Sequence, residues 1–316
     1  MTKGQHLIGK IVGSCVLEKL LGYGGSSAVF LAQQQNPVRK VAIKVFLPRV
    51  PMDIRMQRDF YTRFLREAEA ASKLDHPNIL PIYSYGEQEG IPYIVMPYME
   101  GGTLTDYMSR RGPLSPKEVQ WYLEQIASAL DYAHGRGFVH CDVKAANMLL
   151  DRQGHIMLSD FGIACFAPSA HALKPSEQKE QEAVMMGTPD YISPEQALGK
   201  PVDGRSDIYS LGVLLFYLLS KRLPFKAEST IALALMHVHE RPPSLLSLRG
   251  DLRPDIDAVV QRALAKEPSE RFQSAGQLYE AFAEAVVPAT QEMLVPIRSW
   301  LSRGRNRPWD LLRATG

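Results

Sequence analysis

The sequence predicts an α+β protein of two unequal lobes, a small β-rich one with one main helix and then a larger one that is mostly α-helical. Three observations carry this. Up to about Met99 the apolar residues fall in short runs, at 29–32, 41–46 and 91–96, bounded by Gly, Pro and Asn as strands are. Beyond Gly101 they recur at spacings of three and four, the period of a helix face. At 316 residues the chain suits one large two-lobed unit or two ordinary domains.

In chain order, residues 1–14 read as an N-terminal extension and the strand pattern begins at Cys15. A helix at about 56–74 interrupts it between the third and fourth strands, with Phe60, Phe64, Leu65, Ala68 and Ala71 recurring along one face. The first lobe, 15–99, closes near Met99. The second, 100–286, has helical segments at 115–134, 206–220, 230–239, 255–265 and 274–286. Residues 135–205 between the first two are short strands and loop, and they hold most of the uncommon polar residues; connections that long are usually functional. Residues 287–316 form a basic tail, in which Arg298, Arg303, Arg305, Arg307 and Arg313 stand against Glu292 and Asp310.

Composition narrows the class without naming a function. Hydrophobic residues make up 45% and charged residues 22%, as in an ordinary soluble globular protein. The 36 Lys and Arg nearly balance the 34 Asp and Glu, so no nucleic-acid partner is expected on charge. Cys15, Cys141 and Cys165 are odd in number and lack metal-ligand spacing, which indicates neither a disulfide framework nor a zinc site. The first 13 residues contain no signal-peptide apolar region, and the longest apolar run, 211–219, is about half of what a membrane span needs. A cytoplasmic chain is the expectation.

Chemistry-bearing residues follow in a definite order. Leu21-Gly22-Tyr23-Gly24-Gly25-Ser26-Ser27-Ala28-Val29 lies between two strands, where a glycine-rich hairpin can bring backbone N–H groups against phosphate oxygens; by itself such a hairpin reads first as an ordinary turn. Val41-Ala42-Ile43-Lys44 puts an ammonium inside an apolar strand, which is costly without an anionic partner. Glu67, on the long helix, is the candidate partner; the plainer reading is a lysine reaching out to water. His140-Cys141-Asp142-Val143-Lys144-Ala145-Ala146-Asn147 and Asp160-Phe161-Gly162 bring two carboxylates and an amide toward one place. One carboxylate can accept a hydroxyl proton while Asn147 and Asp160 supply the hard oxygens that magnesium prefers.

This ordered set, with Ser193-Pro194-Glu195 after it, resembles the protein kinase superfamily over residues 15–286. Lys144, two residues after Asp142, and Gly187-Thr188-Pro189-Asp190-Tyr191 resemble its serine/threonine branch; Ser193-Pro194-Glu195-Gln196-Ala197 and Arg205-Ser206-Asp207-Ile208-Tyr209-Ser210 look like the Hanks-type bacterial members. The resemblance implies a bilobal kinase domain transferring phosphate from ATP, with magnesium or manganese, to Ser and Thr of protein substrates. It implies Asp142 as base, Lys144 on the γ-phosphate, Lys44 on the α- and β-phosphates with Glu67 fixing it, and Asn147 and Asp160 on the metal. Leu21, Gly22, Gly24, Gly25, Ser26 and Ser27 would cover the phosphates, and Val29, Ala42, Met96, Met99 and Leu149 would surround adenine. Asp207 would anchor the catalytic loop, Arg271 would pair with Glu195, and Phe161 would pack on His140.

Two departures matter. Pro97 has no N–H where the family usually has Glu, so the Met99 amide is the donor left for adenine. Cys141 stands where the family commonly has an arginine that binds a phosphorylated activation loop, and residues 163–187 contain no Thr or Tyr and only Ser169 and Ser176. Weak dependence on loop phosphorylation is therefore expected. A redox role for Cys141 or Cys165 stands against the plainer reading of a small buried hydrophobe. The Arg-rich tail, with Trp300 and Trp309, reads first as a solvated end, and otherwise as a weak contact to anionic membrane. A nucleotide-binding scaffold without transfer is the alternative, set aside because Lys44, Asp142 and Asp160 are all present.

Overall fold

Alternation of burial along the first strands builds the smaller lobe. In a computed structural model that describes residues 4–24, 27–47, 54–161 and 189–287, six strands form one sheet: β1 (Ile11–Val12), β2 (Cys15–Gly24), β3 (Ser27–Gln35), β4 (Val38–Phe46), β5 (Ser84–Gln88) and β6 (Ile91–Pro97). Their order is β1-β2-β3-β4-β6-β5, and every paired neighbour is antiparallel. On β3 buried and half-buried residues alternate from Ser27 to Gln34, the period of a strand with one face in a core. Ala28, Phe30 and Ala32 pair across with Val45, Ile43 and Val41, and all six are fully buried.

The opposite face of the sheet is set by the same register. Val29 lies opposite Lys44 and Leu31 opposite Ala42, while Ala42 and Lys44 lie opposite Met96 and Ile94 on β6. Val29, Ala42, Lys44 and Met96 therefore share one face, because a strand's side chains repeat every second residue. Helix α1 (Ile54–Ala71) follows β4 and packs Phe64 edge-on against Phe46, with ring centres 4.7 Å apart. Residues 5–12, expected to precede the sheet, instead contribute a short turn of helix and β1, with Leu7 and Val12 buried. The long helix consequently falls between the fourth and fifth strands.

The larger lobe contains α2 (Leu104–Ser109), α3 (Pro116–His134), α4 (Pro194–Ala197), α5 (Gly204–Ser220), α6 (Thr230–His239), α7 (Pro254–Ala263) and α8 (Ala275–Val286), with the two-stranded sheet β7 (Met148–Leu150) and β8 (Ile156–Leu158). Ser115 and Glu118 form a capping box at the start of α3, with Pro116 in its first turn. Asp131 on α3 accepts from the N–H groups of Ala275 and Gly276, both at 2.8 Å, and so satisfies the start of α8 from a neighbouring helix. Helix α5 is buried on nearly every side, which its run of Leu, Val and Phe allows. A Cβ on Gly212 would come within 2.9 Å of Ala263 Cβ, so α5 and α7 approach this closely only over a glycine. Leu80 N–H donates to Leu158 O at 2.9 Å, joining the chain ahead of β5 to β8. Among the described residues no helix is long and apolar enough to cross a membrane.

One charged pair is enclosed by this lobe. Arg271 is fully buried and donates from Nη1 and Nη2 to the two carboxylate oxygens of Glu195, at 2.7 and 2.8 Å. Its remaining donors go to the carbonyls of Ala265, Arg205 and Lys266, each at 2.8 Å, so the guanidinium is fully satisfied. Burial pushes the Glu195 carboxyl up, but hydrogen bonds from Arg271 and Ser206 outweigh it and hold the group below the usual value. A carboxyl lowered by folding adds stability above its unfolded pKa, and that stability is lost as the pH falls through the folded value. Arg271→Met should therefore cost about 3–5 kcal/mol at neutral pH, by leaving a buried carboxylate unpaired, and should flatten the loss of stability toward acid. Urea unfolding of both proteins from neutral to acid pH measures it.

Candidate active site

The loop between α3 and β7 is held by one buried carboxylate. Asp207, on α5 and fully buried, accepts from His140 N–H through Oδ2 and from Cys141 N–H through Oδ1, both at 2.8 Å, and His134 Nε2 lies 2.7 Å from Oδ2. These are the contacts the resemblance implies for Asp207. They keep Cys141 in the left-handed region, at φ 64, which a residue with a Cβ rarely adopts. His140 is fully buried; its Nδ1 accepts from Asp142 N–H at 3.1 Å and its Nε2 donates to Ser159 O at 2.9 Å, which sets the tautomer. Phe161 packs on its ring with centres 4.6 Å apart.

Asp142 is thereby presented with its partners in place. Lys144 Nζ lies 2.8 Å from Oδ1 and 2.7 Å from Oδ2, and Asn147 Nδ2 donates to the Asp142 carbonyl at 2.8 Å and to Oδ2 at 2.9 Å. Ser159 donates twice to Asn147 O, from its N–H at 2.9 Å and its hydroxyl at 3.1 Å, tying the residue before Asp160 to the loop of Asp142. Lys44 Nζ makes an ion pair with Asp160 Oδ1 at 2.8 Å. Burial pushes the Asp160 carboxyl up, but the charge and hydrogen bond of Lys44, with the charge of Lys144, prevail and keep it below the ordinary carboxylate value. The expected partner of Lys44, Glu67, sits on α1 with its side chain outside the described residues; the anion found on Lys44 is Asp160.

The donor set suits a hard divalent ion that arrives with phosphates. Asn147 spends its Nδ2 on Asp142, which leaves its amide oxygen and the Asp160 carboxylate as the candidate oxygen donors. Among the described residues no three of His, Cys, Asp and Glu gather into a cage. Magnesium does not need one, since it usually takes one or two protein oxygens, waters and phosphate. Next to this set, Ala42, Leu80 and Met96 form a buried apolar group on which Val29, Met99, Leu149 and Met157 pack. The five residues expected around adenine are thus in one cluster, and Leu80 and Met157 are additions for which the sequence offered no signal. Pro97 ends β6 opposite Val41, and Met99 N–H has no partner among the described residues.

The glycine-rich hairpin at 21–29 is described in part. Gly22 pairs with Val29 and Gly24 with Ser27, and a Cβ on Gly22 would meet nothing within 4 Å. Leu21 is exposed. Gly25 and Ser26 lie outside the described residues, as do 162–188 with Cys165, Ser169, Ser176 and Thr188.

Two of the three cysteines are among the described residues. Cys15 is a buried free thiol whose pKa burial pushes up, consistent with an inert core residue. Cys141 is half-buried, with its N–H on Asp207.

Comparison with known proteins agrees with this geometry. The family model described as "Protein kinase domain" matches residues 15–282. The serine/threonine-protein kinase PrkC of Bacillus subtilis is 41% identical over 270 residues, 85% of this chain and 40% of its own length. PknB of Mycolicibacterium smegmatis is 39% identical over 283 residues, 88% of this chain and 43% of its own. A probable serine/threonine-protein kinase of Streptomyces coelicolor is 39% identical over 274 residues, 85% of this chain and 39% of its own. The chain thus spans about two fifths of the length of these relatives. With a family model covering most of its length and relatives of this identity, the chain belongs to the protein kinase domain family, among the Hanks-type bacterial serine/threonine kinases.

Proposed function

We propose that this chain transfers the γ-phosphate of ATP to Ser and Thr hydroxyls of proteins, itself included, in the cytoplasm. The observation that supports it is the joint placement of Asp142, Lys144 and Asn147 with the Lys44–Asp160 pair, beside a buried apolar group. Asp142 accepts the substrate hydroxyl proton, with its orientation held by Asn147. Lys144 and Lys44 place positive charge against the phosphates, and the Met99 N–H offers the adenine a donor. Asp160 and Asn147 would hold magnesium, or manganese, which when bound neutralises charge on the phosphates. Such a site works by positioning and electrostatics, with little covalent chemistry of its own.

With Cys141 in place of an arginine, the loop before Asp142 has no guanidinium to receive a phosphate, and activity depends weakly on phosphorylation of residues 163–187. Contact of the Arg-rich tail with anionic membrane belongs to the same proposal; residues 288–316 lie outside the described ones.

Transfer of labelled γ-phosphate to a generic basic protein and to the chain itself tests the reading. Asp142→Asn should lower the rate by roughly 10²–10⁴-fold, and omission of divalent ion should abolish it. Phosphatase treatment should leave the rate nearly unchanged. Wild-type protein that binds ATP and transfers nothing would instead be a scaffold.

A further inference from the structure

Both sides of the peptide bond that leads into Asp142 are held by side chains. Its N–H donates to His140 Nδ1 at 3.1 Å, and its carbonyl, that of Cys141, accepts from Gln196 Nε2 at 2.9 Å. Cys141 also has its own N–H fixed on Asp207 and sits at φ 64. A left-handed residue with a Cβ persists only where its surroundings over-determine it. Since the peptide is a rigid plane, holding its two polar groups fixes where the Asp142 Cα lies and so where its carboxylate begins.

Gln196 has a second contact, made by the other end of its amide. Its Oε1 accepts from the N–H and the hydroxyl of Ser193, both at 3.0 Å, and its own N–H donates to Ser193 Oγ at 3.4 Å, which closes the capping box of α4. A glutamate serves a capping box as well as a glutamine does. The cap therefore explains an oxygen at this position and leaves the nitrogen unexplained. Only the amide supplies both an acceptor for Ser193 and a donor for Cys141.

We propose that Gln196 is a positioning residue for phosphoryl transfer, which joins the Pro189–Ser193 segment to the catalytic loop by donating to the Cys141 carbonyl and so orients Asp142. This rests on the kinase reading and deepens it, adding a link between the two segments made by an amide where the arginine of the usual pattern is absent.

Gln196→Glu keeps the cap and removes the donor, whereas Ser193→Ala weakens the cap and keeps the donor. Steady-state kinetics in reductant, with thermal melting of each protein, separates the two roles. Gln196→Glu should melt with wild type, keep its KM for ATP and lose roughly tenfold or more in kcat, the scale expected when a reacting group is displaced by a fraction of an ångström. Ser193→Ala should melt lower and keep kcat per folded molecule at a temperature where it is folded. Gln196→Glu with wild-type kcat overturns the inference, and so does a kcat loss in both variants that follows their loss of stability. Wild type inactive in the same assay overturns the kinase reading, and the inference with it.

Discussion

The site depends first on a carboxylate that has no solvent to charge against. Asp207 is fully buried on α5, and burying an ionised carboxylate is affordable only when its oxygens are taken up by donors. Two of those donors are consecutive backbone N–H groups, of His140 and Cys141, and a third is His134. The demand of the charge is thus converted into a backbone conformation. Hydrogen bonds to a charged group are worth about 1.5–3 kcal/mol each, which is enough to hold one residue in a left-handed conformation that costs about 1–3 kcal/mol. A helix buried on nearly every side is the right place for such an anchor, because α5 has no alternative packing into which it could shift.

The opposing half of the site is set by a different constraint, the register of the sheet. Val29, Ala42, Lys44 and Met96 come from three strands and share a face because the pairings of β3 with β4 and β4 with β6 keep the same phase. A slip of one residue on β4 would turn Lys44 into the apolar core and Ile43 toward the site. Phe30 and Ile43, both fully buried on the other face, oppose that slip. The placement of the lysine is therefore secured by residues on the face away from its ammonium group.

Much of this was legible in the sequence, for identifiable reasons. The helix at 230–239 is found at those bounds, because Ser229 caps it and the apolar period runs to its end. Helix α2, six residues long, is too short to show a period, and β5 has no alternation of burial to betray it. The chemistry-bearing residues of the second lobe were legible because they lie close together in the chain. Tertiary partners were not: the anion on Lys44 and the bond from Gln196 to Cys141 both join residues far apart in sequence. The need for an anion near Lys44 follows from the chain, but its identity is a property of the fold.

That distinction bears on the replacement of arginine by Cys141. An arginine there would couple to a phosphate through charge-assisted bonds, roughly twice as strong as neutral ones and dependent on a modification being made. The carbonyl of the same residue is held here by a neutral amide, an interaction worth about 0.5–1.5 kcal/mol. A single bond of that size would not order a loop by itself. It suffices because the adjoining N–H groups are already taken by Asp207 and His140, so that only the last rotation of one peptide plane is left to settle. Under the proposed function, a loop held in this way has its last peptide plane settled without an added phosphate.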